Sequence, residues 1–198
     1  MSIRLTREEV LAVFTESEAL LQGHFLLTSG RHSDRYVQCA QVLKFPWHTE
    51  NLMAALKEKI KQEQSLGTID LVVGPAMGGV IVAYEMGRQM GVPALFTERE
   101  NGAMTLRRGF RIKPGQRVLV VEDVITTGGS LQEAIECVQA AGGIVAGAAV
   151  LVDRSGGRHQ ITVPVTSLMT IDIQTYEPGD CPLCAHSTPV KPGSRSLT

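Results

Sequence analysis

The stretch Val118-Leu-Val-Val-Glu-Asp-Val-Ile-Thr-Thr-Gly-Gly-Ser130 constrains this chain more than any other. Its continuous apolar run reads as a strand buried on both faces, the habit of parallel sheets. The run, placed at 117–121, finishes in two adjacent carboxylates, Glu122 and Asp123. The loop Thr126-Thr127-Gly128-Gly129-Ser130 then opens directly into an amphipathic helix at 130–141. In parallel sheets, ligands sit beyond the carboxyl ends of strands. Free amides of the loop and first helical turn, with the hydroxyls of Thr126, Thr127 and Ser130, make an anion site for a phosphate. Gly128 and Gly129 let the backbone come close without a Cβ in the way. Carboxylates would repel a bare phosphate, but they suit sugar hydroxyls on the same molecule. The string therefore points to a ribose 5-phosphate, with carboxylates on its 2- and 3-hydroxyls and amides on its phosphate. An ordinary strand-to-helix turn explains a Ser or Thr cap, but not the whole string.

The rest of the chain alternates around it. Apolar runs at 69–73, 94–97, 144–152 and 168–173 read as further strands. Helical periodicity covers 49–63 and 78–90, the latter stopped by Gly91-Val-Pro93. Strands separated by helices of this length mean right-handed crossovers and an α/β fold: a mostly parallel central sheet flanked by helices. Before it lies an α+β segment. Thr6-Arg-Glu-Glu9 is a capping box that starts a helix with Val10, Leu11, Phe14 and Leu21 on one face. Residues 23–43 break that period and suggest short strands around a polar turn at Ser29-Gly30.

At 198 residues the chain suits a single domain, 1–198, and its 43% hydrophobic content suits a packed globule. A net charge of -1 gives no reason for a broad cationic face, so nucleic acid is not an expected partner. Neither a signal peptide nor a run of roughly 18 apolar residues is present, which predicts a cytoplasmic protein without a membrane partner. Its four cysteines, Cys39, Cys137, Cys181 and Cys184, should be reduced there.

Two segments stand apart. Residues 98–116 carry Arg99, Arg107, Arg108, Arg111 and Lys113 and are long for a connector. They read either as a solvated arginine-rich hairpin or as a lid, and their place between two core strands favours the lid. Residues 177–198, rich in proline, glycine and serine, read as an extended strap or frayed tail. There, Cys181-Pro-Leu-Cys184 is half of a structural zinc site, with His186 close behind. Completion by Cys39, His48 or a second subunit stays open.

Residues 118–130 resemble the phosphoribosyl diphosphate (PRPP) signature of type I phosphoribosyltransferases, and the likeness extends further. Phe25-Leu-Leu-Thr-Ser-Gly-Arg-His-Ser33, followed by Tyr36, resembles the base-binding segment of the orotate phosphoribosyltransferase family. Val73-Gly-Pro-Ala-Met-Gly-Gly79 is similar to its pyrophosphate loop, and Thr97-Glu-Arg-Glu-Asn-Gly102 to the start of its mobile catalytic loop. Val150-Leu-Val-Asp-Arg154 is similar to the strand end whose arginine meets orotate.

The resemblance implies transfer of ribose 5-phosphate from PRPP to orotate, giving orotidine 5'-phosphate and pyrophosphate, in pyrimidine (UMP) biosynthesis. It implies Mg2+ held through PRPP and water, and a homodimer whose mobile loop is shared between subunits. It implies a hood over the base built from about residues 1–45. PRPP would meet Glu122, Asp123, Val124, Ile125, Thr126, Thr127, Gly128, Gly129 and Ser130, with Ala76, Met77 and Gly78 on the pyrophosphate. Orotate would meet Thr126 and Arg154, walled by Ser29, Gly30 and Tyr36. Tyr36 reads equally as a core aromatic, and Asp153-Arg154 alternatively as a surface ion pair. Arg99, Arg107 and Arg108, with Asp123, would be catalytic. Arginines stand in this loop where lysines are usual, and Gly78 stands where the pyrophosphate loop usually has lysine; arginine clamps phosphate bidentately. A transferase for a purine or another base, and a non-catalytic PRPP-sensing regulator, are the alternative functions.

Overall fold

The computed structural model describes residues 4–27, 29–63 and 65–192. Thr28 and the tail residues 193–198 of the strap lie outside the described residues.

The chain opens with helix α1 (Arg7–Glu16), and the expected capping box is formed. The Glu9 amide donates to Thr6 Oγ1 at 3.2 Å, and the Thr6 amide to Glu9 Oε2 at 2.7 Å. Val10 and Phe14 are buried, but Leu11 is exposed and Leu21 is not in the helix. The chain turns at Glu18, which takes a positive φ of 57°, so the helix stops before Leu21 can join its face.

A small antiparallel sheet follows, β1 (Leu20–Leu26) and β2 (His32–Val37), turning at Ser29-Gly30 as expected. Gly30 has φ 82°, a conformation that suits glycine. The short helix α2 (Cys39–Leu43) then leads into α3 (Pro46–Glu63), which starts three residues before its predicted bound.

The main sheet comprises β3 (Leu71–Pro75), β4 (Ala94–Glu100), β5 (Ala103–Leu106), β6 (Arg117–Ile125), β7 (Ile144–Asp153) and β8 (Val165–Thr170). Their order is β5-β4-β3-β6-β7-β8, parallel throughout except for the β4–β5 hairpin. Helix α4 (Gly78–Met90) joins β3 to β4, and α5 (Gly129–Ala140) joins β6 to β7. Strand order reverses between β3 and β6, the topological switch point where open parallel sheets bind ligands.

Alternation along β6 explains why both faces are covered. Val118 and Val120 pack with Leu131, Ile135 and Val138 of α5. Leu119 and Val121 pack in the opposite core, with Leu52 and Leu56 of α3 and Met86 of α4. All four β6 residues are fully buried, each contributing on the order of 2 kcal/mol relative to exposure.

The small sheet takes its third strand, β9 (Thr175–Tyr176), from the far end of the chain, beside β2. Beyond it the tail makes two short 3-10 turns, Pro178–Asp180 and Pro182–Ala185. It is then tied down: Val190 donates to His24 O at 2.8 Å and accepts from the Leu26 amide at 2.9 Å. Through residue 192 the tail is a strap across the N-terminal sheet.

Candidate active site

Two loops meet at the switch point. Strand β6 continues to Ile125, four residues past its predicted end, so Glu122 and Asp123 lie within the strand. Successive side chains point to opposite faces, so the two carboxylates straddle β6. Asp123 lies on the α4 side, where its carboxylate fills the space that a Cβ on Gly78 would need. Asp123 Oδ1 accepts from the Val124 amide at 2.9 Å, and the buried Cys39 thiol faces the Asp123 carbonyl at 3.8 Å.

Burial dominates the electrostatics here. Removal from water pushes the Glu122 carboxyl up to about 8, with the neighbouring charge of Asp123 adding to the shift. Asp123 is also raised by burial, against the opposing hydrogen bond from Val124. A hydroxyl-bearing or cationic ligand would complete this pair of desolvated carboxyls.

Beyond them, Gly128 takes φ 87° at the start of α5, where no side chain caps the helix. Gly128 has no side chain to cap the first-turn amides, which leaves them to a ligand beside the exposed Thr126 and Thr127. The positive φ favours glycine at 128, and a Cβ there would also press on Ile161 Cδ1 at 2.9 Å. Val124 and Ile125 differ from expectation. Both are strand residues, the Ile125 side chain is buried in the core, and the Ile125 carbonyl accepts from the Arg154 amide at 2.9 Å.

The second loop, 76–78, precedes α4, which likewise has no side-chain cap. The Ala76 amide is already bonded to Thr97 O at 2.8 Å, which leaves Met77 and Gly78 to offer amides to an anion. Met77 is 85% exposed. Gly74 and Gly79 are packed back to back, and a Cβ on Gly79 would meet Pro75 Cδ at 2.9 Å.

A cleft of about 750 Å³ runs from Thr126 and Thr127 to the N-terminal sheet. It brings together Ser29, Tyr36, Thr126 and Arg154, four of the five residues assigned to orotate. Gly30 shapes the adjoining turn instead. Asp153 is not a surface ion-pair partner of Arg154. It is 4% exposed and accepts from the Ser155 amide at 2.7 Å and the Gly157 amide at 2.9 Å, fixing the loop that carries the arginine. Arg154 Nε is buried with no partner among the described residues, and burial lowers the guanidinium's pKa. An anion in the cleft would satisfy both conditions. Tyr36 bonds Gln38 Oε1 at 3.1 Å and also lines the cleft.

Arg31, Arg158, Gln160, Ile173 and Thr175 also line it and were not picked out from sequence. Arg31 sat inside the quoted base-binding motif, but nothing local marked it. Its Nε donates to Thr175 Oγ1 at 2.9 Å, a partner 144 positions away.

The arginine-rich segment is a hairpin, β4–β5, where a lid was expected. Arg99 pairs with Glu133 at 2.7 Å, Arg107 with Glu100 at 3.3 Å and Arg108 with Glu98 at 2.8 Å. None of the three lines the cleft. Such exposed pairs hold weakly, so each guanidinium remains available to an outside anion.

The phosphoribosyl transferase domain family matches residues 47–183. An orotate phosphoribosyltransferase of Desulforamulus reducens is 52% identical over 195 residues, covering 98% of this chain and all of that one. That of Pelotomaculum thermopropionicum is 55% identical over 194 residues, with 98% and 100% coverage. The crystal structure of orotate phosphoribosyltransferase from Aeropyrum pernix is 29% identical, with a TM-score of 0.68 over 82% of this chain and 93% of that one. With the sheet order, the two loops at the switch point and the full-length similarity all in agreement, this chain belongs to the orotate phosphoribosyltransferase family.

Proposed function

We propose that the chain is a pentosyltransferase that moves ribose 5-phosphate from PRPP to orotate, releasing pyrophosphate and forming orotidine 5'-phosphate on the way to UMP. One observation carries the reading. A single cleft reaches from Thr126 and Thr127, the loop that leads into the uncapped start of α5, to a buried Arg154 nitrogen with no partner among the described residues.

The first-turn amides of α5, with Thr126, Thr127 and Ser130, bind the 5-phosphate. Glu122 and Asp123 accept from the ribose hydroxyls. Met77 and Gly78 present amides to the departing pyrophosphate. The Arg154 fork holds the orotate carboxylate, while Ser29 and Tyr36 wall the ring. These contacts place the base and the sugar carbon face to face before reaction, which removes much of the entropic barrier. The carboxyl oxygens suit a hard cation as well as hydroxyls, so the residues fit Mg2+ held mainly by PRPP oxygens and water. Bound there, Mg2+ would neutralise charge building on the leaving pyrophosphate.

The active form we propose is a homodimer. Met77 at the N-cap of α4, with Ile81 and Tyr84 on the helix, are exposed at helical spacing, an apolar stripe suited to a second copy. Arg99, Arg107 and Arg108 would then clamp pyrophosphate in the neighbouring subunit's site, which accounts for their absence from their own cleft. We treat the chain as one domain, with about residues 1–45 as the hood and 177–198 as the tail. The cytoplasm is its proposed setting, where the four free cysteines would stay reduced.

The test is incubation with PRPP, Mg2+ and a panel of free bases. Orotate alone should be consumed, with one pyrophosphate released per orotate. Consumption of a purine in its place would overturn the base assignment, and release of no pyrophosphate with any base would overturn the activity.

A further inference from the structure

We propose that His24, His32, Cys181 and Cys184 form a structural zinc site that clamps the C-terminal strap to the N-terminal sheet. The four ligand atoms lie within 4.8 Å of one another. His24 Nε2 is 3.0 Å from His32 Nδ1, 3.5 Å from Cys181 Sγ and 3.8 Å from Cys184 Sγ. Cys184 Sγ is 3.3 Å from His32 Nδ1. Around a tetrahedral zinc with ordinary bond lengths, ligand atoms stand about 3.3 Å apart for two nitrogens and about 3.6 Å for nitrogen and sulfur. Four of the six separations thus already match a zinc coordination shell, and the other two lie within 4.8 Å, a small contraction from closure.

Local structure explains how four residues from both ends of the chain arrive together. The β1–β2 register shifts between Gln22 and Phe25, a bulge that breaks the two-residue alternation. As a result His24 and Phe25 are both buried although adjacent, and His24 is turned toward the tail. His32 opens β2, the strand that pairs with β9. The 3-10 turn Pro182–Ala185 folds Cys184 back over Cys181, with the Cys184 amide donating to the Cys181 carbonyl at 3.2 Å.

The outer contacts fit as well. His24 Nδ1 lies 2.9 Å from the Ser187 carbonyl, the placement that fixes a tautomer with Nδ1 protonated and the Nε2 lone pair facing the cluster. Metal-binding histidines are commonly oriented in this way. Two thiolates and two imidazoles select zinc over the hard cations that prefer oxygen. Four protein ligands leave no open position, so the role is structural. The clamp holds the hairpin whose turn carries Ser29 and Arg31, two residues of the base cleft. This assignment corrects the set left open by the sequence. His186 is exposed with no contact to the cluster, Cys39 lies under Asp123, and His48 packs against Phe45 and Trp47.

The test is zinc content of the full-length protein, purified without chelators and measured by mass spectrometry of the metal. Wild type and His186→Ala should each hold about one equivalent per chain, while Cys184→Ser and Cys181→Ser/Cys184→Ser should lose at least about tenfold. Should the double variant fail to fold, an organomercurial added to wild type should release the zinc to a colorimetric chelator in step with thiol modification. Cobalt in place of zinc should give the absorption bands of a tetrahedral thiolate complex. Wild type that holds less than about a tenth of an equivalent after zinc is offered would overturn the proposal. So would full zinc retention in the cysteine variants, or a Cys181–Cys184 disulfide in the freshly purified protein.

Discussion

The carboxylate of Asp123 sits where a Cβ on Gly78 would have to go. Strand β6 and the loop that opens α4 are thus in direct contact, so a change in one is felt by the other. Gly78→Ala should force them apart while leaving the buried core of the sheet intact. We expect kcat/KM for PRPP to fall about 100-fold, close to 3 kcal/mol of transition-state stabilisation, with Tm nearly unchanged. Steady-state kinetics beside a thermal melt checks this, and unchanged kinetics would show that the contact is not functional.

Burial of Glu122 costs the folded chain stability. Its carboxyl titrates near 8 in the folded chain against an ordinary value of 4.5. Between those values the folded state holds the extra proton, so the contribution of this group to stability declines as pH rises through that window. Glu122→Gln should stabilise the ligand-free protein near pH 8 by on the order of 2 kcal/mol, a rise of about 6 °C in Tm. It should also weaken PRPP binding. Melts from pH 5 to 8.5 should show the gap between variant and wild type widening with pH; a gap constant across the range would contradict the assignment.

Arg154 should discriminate between the two substrates. Arg154→Ala removes the buried fork and should raise the KM for orotate about 100-fold or more, with a much smaller change for PRPP. Arg154→Lys should recover only part of the loss, since an ammonium cannot bind a carboxylate through two parallel bonds. Equal effects on both substrates would move Arg154 out of the base pocket.

The hairpin arginines can be tested by mixing subunits. Arg107→Ala/Arg108→Ala and Asp123→Asn should each be nearly inactive alone. Unfolded together and refolded, they should regain up to about a quarter of wild-type activity, because half of a random mixture is heterodimer with one intact site. Failure of the mixture to recover would place the arginines in their own subunit's site.

The junction of β6 with α5 was legible because its signals are local. A strand, two acids, a glycine turn and a helix start all fall within Val118 to Ser130, and each has its own short-range cause. Helix α1 was half legible. Its capping box marked the start, but the stop rests on Glu18 at a positive φ, a residue that no propensity rule marks as a turn. The end of β6 was misplaced because Val124 and Ile125 continue the ladder with β7 past charged residues, held by pairing with Val152 and Asp153. Long-range pairings were silent. Arg31 meets Thr175, and His24 meets Cys181, only because β1, β2 and β9 form one sheet from opposite ends of the chain. The β4–β5 hairpin shows the limit of loop length as a guide. Residues 98–116 were too long for a simple connector because seven of the nineteen, 98–100 and 103–106, extend the sheet.

The most direct measurement is a crystal structure with PRPP and Mg2+ bound. The ribose should lie against Glu122 and Asp123, with its 5-phosphate on the first turn of α5 and its pyrophosphate against Met77 and Gly78. Density for PRPP at any other place, with this junction closed by side chains, would contradict the account.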